Sequence, residues 1–173
     1  MEKLIDTHCH ITCDAVSYTH LVVVSPDHGG TTRARRLAEI LHAPLAIIDK
    51  RRPKPNVAEA MNIIGDVNGK VAIMVDDIVD TAGTLTAGIE MLYDKGATAV
   101  YASCVHGVLS GPAIDRLRNS RLEGFICTNT IPQEDKAQEY PKMTVLSVGP
   151  VLGQVIKAME ESRPVSEIVA KYA

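Results

Sequence analysis

Three short stretches of this 173-residue chain carry side chains whose types and spacing suit chemistry. The first is Val75-Asp76-Asp77-Ile78-Val79-Asp80-Thr81-Ala82-Gly83-Thr84, a carboxylate pair at the end of an apolar run followed by a turn of small residues. Asp80–Thr84 opens a helix-like stretch. Its backbone N–H groups and two hydroxyls suit a phosphate held at the positive end of a helix dipole. Asp76 and Asp77, read as the tip of a strand, suit hydrogen bonds from vicinal sugar hydroxyls, or Mg2+ with waters between. The plainer alternative is a solvated turn capped by Thr84. The second stretch, Asp49-Lys50-Arg51-Arg52-Pro53-Lys54-Pro55-Asn56, places four cations in five positions between two prolines' worth of stiffening. It suits a lid that neutralises phosphates; a solvated charge run is the alternative. The third, Ser25-Pro26-Asp27-His28-Gly29-Gly30, has glycines that let backbone approach a ligand closely and an aspartate able to hold a cation. His28 reads as a surface or structural residue.

All three stretches follow β-branched, apolar runs. Leu21–Ser25, Pro44–Asp49, Val71–Val75, Ala99–Cys104, Phe125–Thr128 and Thr144–Val148 read as strands. Thr32–Leu41, with Arg and Glu facing out, reads as a helix, as do Leu85–Asp94 (closed by Lys95 and Gly96), Pro112–Asn119, Val151–Glu161 and Val165–Tyr172. Six strands alternating with helices imply an α/β fold with a parallel sheet and helices on both faces. In open parallel sheets ligands bind at the carboxyl ends of the strands, where the three stretches fall.

Composition fits that reading. Hydrophobic residues make up 46% and aromatics only 3%, so the core rests on Val, Ile, Leu, Ala and Met. A net charge of -3 gives no field to recruit nucleic acid or an anionic membrane. Apolar runs are far too short to span a bilayer, and Met1–Asp6 lacks the apolar core of a signal peptide. Four cysteines (Cys9, Cys13, Cys104, Cys127) read as thiols of a reducing cytoplasm. Rossmann and P-loop glycine motifs are absent.

The Asp76–Thr84 loop resembles the PRPP-binding loop of type I phosphoribosyltransferase-like proteins, and more narrowly that of ribose-phosphate diphosphokinases (PRPP synthetases). Lys50–Asn56, Val57-Ala58-Glu59, Met61–Asp66, Cys104–Ala113 and Leu146–Leu152 are similar to the same family, so the resemblance runs from about Leu21 to Ile168. It implies a phosphoribosyltransferase-like α/β fold over residues 21–173, matching the C-terminal half of such enzymes. It implies that Asp80, Thr81, Ala82, Gly83 and Thr84 grip the 5-phosphate of ribose 5-phosphate, and Asp76 and Asp77 the ribose hydroxyls. Lys50 and Arg52 match the catalytic basic residues that act on the transferring diphosphoryl group of ATP, and Asp27 matches a Mg2+ ligand. The implied reaction passes diphosphate from Mg-ATP to the sugar's 1-hydroxyl, giving PRPP and AMP in nucleotide biosynthesis. The implied assembly is a homo-oligomer or a partner subunit. True transferases of this fold usually carry Gly-Gly where this chain has Ala82-Gly83.

The family's other half supplies a metal-binding His, an ATP-contacting Arg and adenine-site residues that Met1–His20 does not resemble. Residues 1–20 read as an atypical leader, with a fusion scar, a misjoined gene and a cloning remnant equally open as its origin. Ile5-Asp6-Thr7-His8-Cys9-His10 resembles the opening of TatD-type metal-dependent hydrolases, and on a strand it would let His8 and His10 share a metal; zinc held by His8, Cys9, His10, Cys13 and His20 is a minor alternative, since the spacing fits no standard closed site. Two other readings stay open: a catalytically silent sugar-phosphate-binding or regulatory module, and a phosphoribosyltransferase.

Overall fold

The computed structural model describes residues 20–51 and 60–170. They fall into two units, one ending at Leu146 and the other beginning at Ser147.

The larger unit runs β1 (Leu21–Ser25), α1 (Thr31–Ile40), β2 (Leu45–Arg51), β3 (Ala60–Ile64), β4 (Val71–Val79), α2 (Gly83–Asp94), β5 (Ala99–Gly107), α3 (Ala113–Asn119), β6 (Gly124–Thr128), α4 (Glu134–Glu139) and β7 (Met143–Leu146). The strands form one sheet in the order β3-β2-β1-β4-β5-β6-β7. Every pairing is parallel except β2 with β3. All six expected strands and the α/β class are present. The parallel-sheet expectation needs one correction: β3 is a seventh, antiparallel edge strand. β3 runs back along β2, and a strand that returns beside its predecessor pairs antiparallel. Its five residues show no apolar–polar alternation that would mark them in sequence. The six-residue α4 was likewise not expected.

Alternation in β1 and β4 sends side chains to two faces. Val22, Val24, Ala72 and Met74 join Ile89 and Leu92 of α2 and Ala113, Ile114 and Leu117 of α3 in the main core. α2 lies so close that a Cβ on Gly88 would come within 2.9 Å of Ile48 and of Met74. Val23, Ile73 and Val75 are buried on the opposite face, where α1 packs along β1, β4 and β2 with Ala34 and Ala38 inward. α2 closes as expected at Lys95 and Gly96. Gly96 sits at φ +90, and the Ala97 and Gly96 amides donate to the Leu92 and Tyr93 carbonyls, satisfying the helix's last acceptors.

The smaller unit holds α5 (Gly149–Glu160) and α6 (Ser166–Val169), which contact one another. α5 has proline in its first turn, where a missing N–H costs nothing.

Candidate functional site

The strand order sets where a ligand can enter. From β1 the chain proceeds through β2 and β3 to one side, then crosses to β4 and continues through β5, β6 and β7 on the other. The carboxyl ends of β1 and β4 therefore flank the topological switch point, the usual ligand crevice of an open α/β sheet.

β1 ends its pairing with β4 at Val24↔Met74, whereas β4 goes on along β5 through Asp76↔Cys104 and Val79↔Gly107. Asp76 and Asp77 are therefore not the strand tip expected from the apolar run. They sit within β4, three and two residues before its end at Val79, because β5 pairs with the strand beyond them. On the β1 side the ladder has already ended, and both carboxylates meet Arg33.

The pair is electrostatically divided. Burial pushes Asp76 up to about 6, while hydrogen bonding with Asp76 holds Asp77 below the ordinary carboxylate range. The Asp77 amide donates to Asp76 Oδ1 at 2.8 Å, and Asp76 is ionised at neutral pH. Facing them is Arg33 from the first turn of α1, with Nη2 2.7 Å from Asp77 Oδ2 and Nη1 3.6 Å from Asp76 Oδ1. The expectation that the arginines of this helix face outward fails at Arg33, since the switch point brings α1 over the β4 carboxylates. Nothing in its local sequence signals this.

After β4 the chain turns through Asp80–Thr84 into α2. Ala82 is the helix N-cap, buried, at φ +59, and no side chain caps the helix. That is the left-handed region, costly for a residue with a Cβ, and it suits the glycine usual here in transferases. The Thr84 cap is thus not what starts the helix. Among the described residues, no acceptor is recorded for the amides of Ala82, Gly83 and Thr84, which leaves a cluster of donors at the dipole's positive end. The turn is fastened from outside. Leu109 and Ser110 amides donate to Val79 and Asp80 carbonyls, the Ser110 hydroxyl donates to the Asp80 carboxylate, and Arg116 Nη1 donates to the Thr81 carbonyl at 2.8 Å. Asp80 thus braces the turn through Ser110. Ser110 and Arg116 were missed from sequence, where they read only as loop and helix surface. A groove of ≈ 480 Å3 between α2 and α3 reaches the back of this turn at Gly83 and Arg116, away from the aspartates.

Asp27 lies beyond β1. Its Oδ1 accepts from the Gly30 amide at 2.8 Å, and the Ser25 hydroxyl donates to its carbonyl at 2.6 Å. The carboxylate is exposed and keeps a second oxygen for a ligand. Mg2+ characteristically takes one or two protein carboxylates and completes its shell with water and substrate phosphates, so this single exposed carboxylate fits that ion. No cluster of three or more metal-ligating side chains occurs among the described residues. His28 Nε2 lies 2.9 Å from buried Asp49 Oδ1, tying the β1 loop to the end of β2. His28 thus has a structural partner that sequence did not reveal.

Lys50 was expected just past β2. It lies instead within it, paired with Met61 of β3. Arg52 falls outside the described residues, as do His8, Cys9, His10 and Cys13 of the leader. The switch point thus brings together Asp27, Asp76, Asp77 and the Asp80–Thr84 turn. Cys104 and Cys127 are core thiols, pushed by burial up to about 12 and about 11, and supply no nucleophile.

Comparison with known proteins shows the family. The family model described as phosphoribosyl synthetase-associated domain matches residues 50–169. Ribose-phosphate pyrophosphokinase of Bacillus subtilis (strain 168) is 54% identical over 148 residues, which is 84% of this chain and 46% of that protein. The Listeria ivanovii protein of the same name is 57% identical over 149 residues, 86% of this chain and again 46% of the relative. The crystal structure of phosphoribosylpyrophosphate synthetase from Mycobacterium smegmatis superposes with a TM-score of 0.76 at 40% identity, covering 83% of this chain and 46% of that one. The chain spans about half the length of the curated relatives it matches. The TatD-like opening finds no support in these matches.

Proposed function

We propose, for a chain that belongs to the phosphoribosyl synthetase-associated domain family and corresponds to the C-terminal half of ribose-phosphate pyrophosphokinases, that it binds ribose 5-phosphate at the β1–β4 switch point. The observation that carries the proposal is the pairing of two opposite chemistries in one loop. Uncapped amides of Ala82, Gly83 and Thr84 offer donors to a phosphate, and a few residues earlier Asp76 and Asp77 offer acceptors to a diol. A sugar phosphate carries both counterparts. Residues 21–173 form the corresponding domain in this reading.

In the proposed reaction the chain's residues orient the sugar so that its 1-hydroxyl faces the β-phosphorus of ATP, with AMP as the leaving group. Phosphoryl-type transfers of this kind depend on positioning and charge stabilisation. The Asp80–Thr84 turn, with its Ala82–Thr84 amides and its Thr81 and Thr84 hydroxyls, fixes the 5-phosphate, and Asp76 and Asp77 accept from the ribose hydroxyls. Lys50 and Arg52 neutralise charge on the transferring group. Asp27 is the residue that would hold Mg2+, which when bound supplies charge neutralisation on the ATP phosphates. PRPP is the product, and the assembly in this reading is a homo-oligomer or a partner subunit.

One observation favours a second reading. The chain matches 46% of the relatives' length. A sugar-phosphate-binding or regulatory module that does not turn over by itself is the second reading. The deciding experiment incubates the purified chain with ATP, Mg2+ and ribose 5-phosphate and measures AMP. Sugar-dependent AMP supports the enzyme; calorimetric sugar binding without AMP supports the module. Absence of both overturns the proposal, and consumption of PRPP with a free base would make the protein a transferase.

A further inference from the structure

Three consecutive carbonyls around the Asp80–Thr84 turn are held by one segment of the chain. The Val79 and Asp80 carbonyls accept the Leu109 and Ser110 amides, each at 3.1 Å, and the Thr81 carbonyl accepts from Arg116 Nη1 at 2.8 Å. A trans peptide is planar, so its carbonyl and its N–H point in opposite directions, and no cis peptide occurs among the described residues. Drawing the Asp80 and Thr81 carbonyls toward α3 and the loop before it therefore aims the Thr81 and Ala82 amides the other way. Neither amide has a recorded acceptor among the described residues.

The peptide between Thr81 and Ala82 is the strained one. Ala82 is buried at φ +59, ψ +7, a region that a Cβ disfavours. Turning this single peptide over would carry Ala82 back to negative φ and would point its N–H away from the neighbouring amides. Arg116 opposes that reversal. Its guanidinium lies against the turn, so that a Cβ on Gly83 would stand 3.2 Å from Nη1. The Thr81 carbonyl is its one recorded partner among the described residues, which leaves this charge-assisted hydrogen bond undivided.

The support is itself anchored. Ala113, Ile114 and Leu117 bury the inner face of α3 and leave Arg116 on its outer side. In the preceding loop, the Gln133 side-chain amide donates to the Gly107 carbonyl, and Lys136 Nζ donates to the Val108 carbonyl at 2.6 Å.

Resting on the sugar-phosphate reading, we infer that Arg116 is a positioning residue for the phosphate: it holds the Thr81–Ala82 peptide in the orientation that Ala82 by itself disfavours, and so aims the Ala82 amide at the bound group.

The test is calorimetry on the full chain with inorganic phosphate and ribose 5-phosphate, arranged as a double-mutant cycle. Arg116→Met removes the donor and is expected to weaken both probes about tenfold, the loss of one charge-assisted hydrogen bond. Arg116→Lys keeps a charged donor and restores part of that affinity. Ala82→Gly abolishes the preference for the reversed peptide, because glycine adopts either sign of φ. In the Ala82→Gly background, Arg116→Met should therefore weaken the probes only about threefold or less. An arginine that acted by charge alone, or merely supported the fold, would lose the same factor in both backgrounds. Equal losses in the two backgrounds, or full affinity in Arg116→Met, overturn the inference. Should Arg116→Met fail to fold, Arg116→Lys is compared in the same two backgrounds, and an equal effect again overturns it. If the unaltered chain binds inorganic phosphate but no ribose 5-phosphate, the sugar-phosphate reading fails and the cycle is read on phosphate. Binding of neither probe overturns both.

Discussion

Asp76→Asn should make this protein more stable while removing its sugar binding. Burial raises the Asp76 carboxyl from the ordinary 3.8 to about 6 against the opposing attraction of Arg33. A carboxyl with a raised folded-state value costs nothing below its unfolded value, and that cost grows as pH rises to the folded value. Holding Asp76 ionised at pH 7.5 then costs about 3 kcal/mol, at about 1.4 kcal/mol per pH unit of displacement. The side chain is 27% exposed. Solvent screening therefore reduces the realistic figure to about 1–2 kcal/mol. Asparagine mimics the protonated form, and its NH2 can donate to Asp77. With an m-value of about 2 kcal/mol per M, the urea midpoint at pH 7.5 should rise by about 0.5–1 M. The gain should shrink as pH falls from 6 toward 4, where Asp76 itself is protonated. Ribose 5-phosphate affinity should meanwhile fall about 10- to 100-fold, the loss of a hydrogen bond to a charged acceptor. A midpoint at pH 7.5 that is unchanged or lower, or a gain independent of pH, would refute the burial argument.

The wild-type site should bind ribose 5-phosphate more weakly at pH 5.5 than at pH 7.5, because Asp76 must be ionised to accept. The ligand's phosphate also titrates near pH 6, so the ratio to inorganic phosphate is the quantity that should fall. In a chain that turns over, Lys50→Ala should cut AMP release by about 100-fold or more while leaving sugar affinity within about twofold, as for removal of one charge-stabilising group. Equal turnover would remove Lys50 from the mechanism. Gly96→Ala should lower stability by about 1–2 kcal/mol by urea titration, because φ is +90 and the new Cβ would lie 2.2 Å from Asn68 Oδ1. Gly88→Ala should also destabilise, by about 1 kcal/mol, although alanine is the better helix former. Its methyl would enter a filled space 2.9 Å from Ile48 and Met74, and a neutral or stabilising result would show that α2 can shift off the sheet.

The six strand runs, the turn residues and the two loops flanking the switch point were legible because each is a local signal. β-branched runs mark strands, Gly96 marks a helix end, and the Asp76–Thr84 order fixes acceptors before donors along one stretch. Tertiary structure decided what local order cannot carry. Asp76 and Asp77 fall inside a strand because β5 continues to pair where β1 has stopped. β3 exists because the chain returns along β2, a partnership that five unpatterned residues do not announce. Arg33 reads as a solvent-facing helix residue until α1 is laid across the sheet. His28, Ser110 and Arg116 acquire partners 21, 30 and 35 residues away in sequence. The sequence by itself determined which residues could serve a sugar phosphate, since residue type and spacing along one loop are local properties. Only the folded sheet decided which charges stand opposite one another, because that depends on strand order, and with it the cost of ionising Asp76.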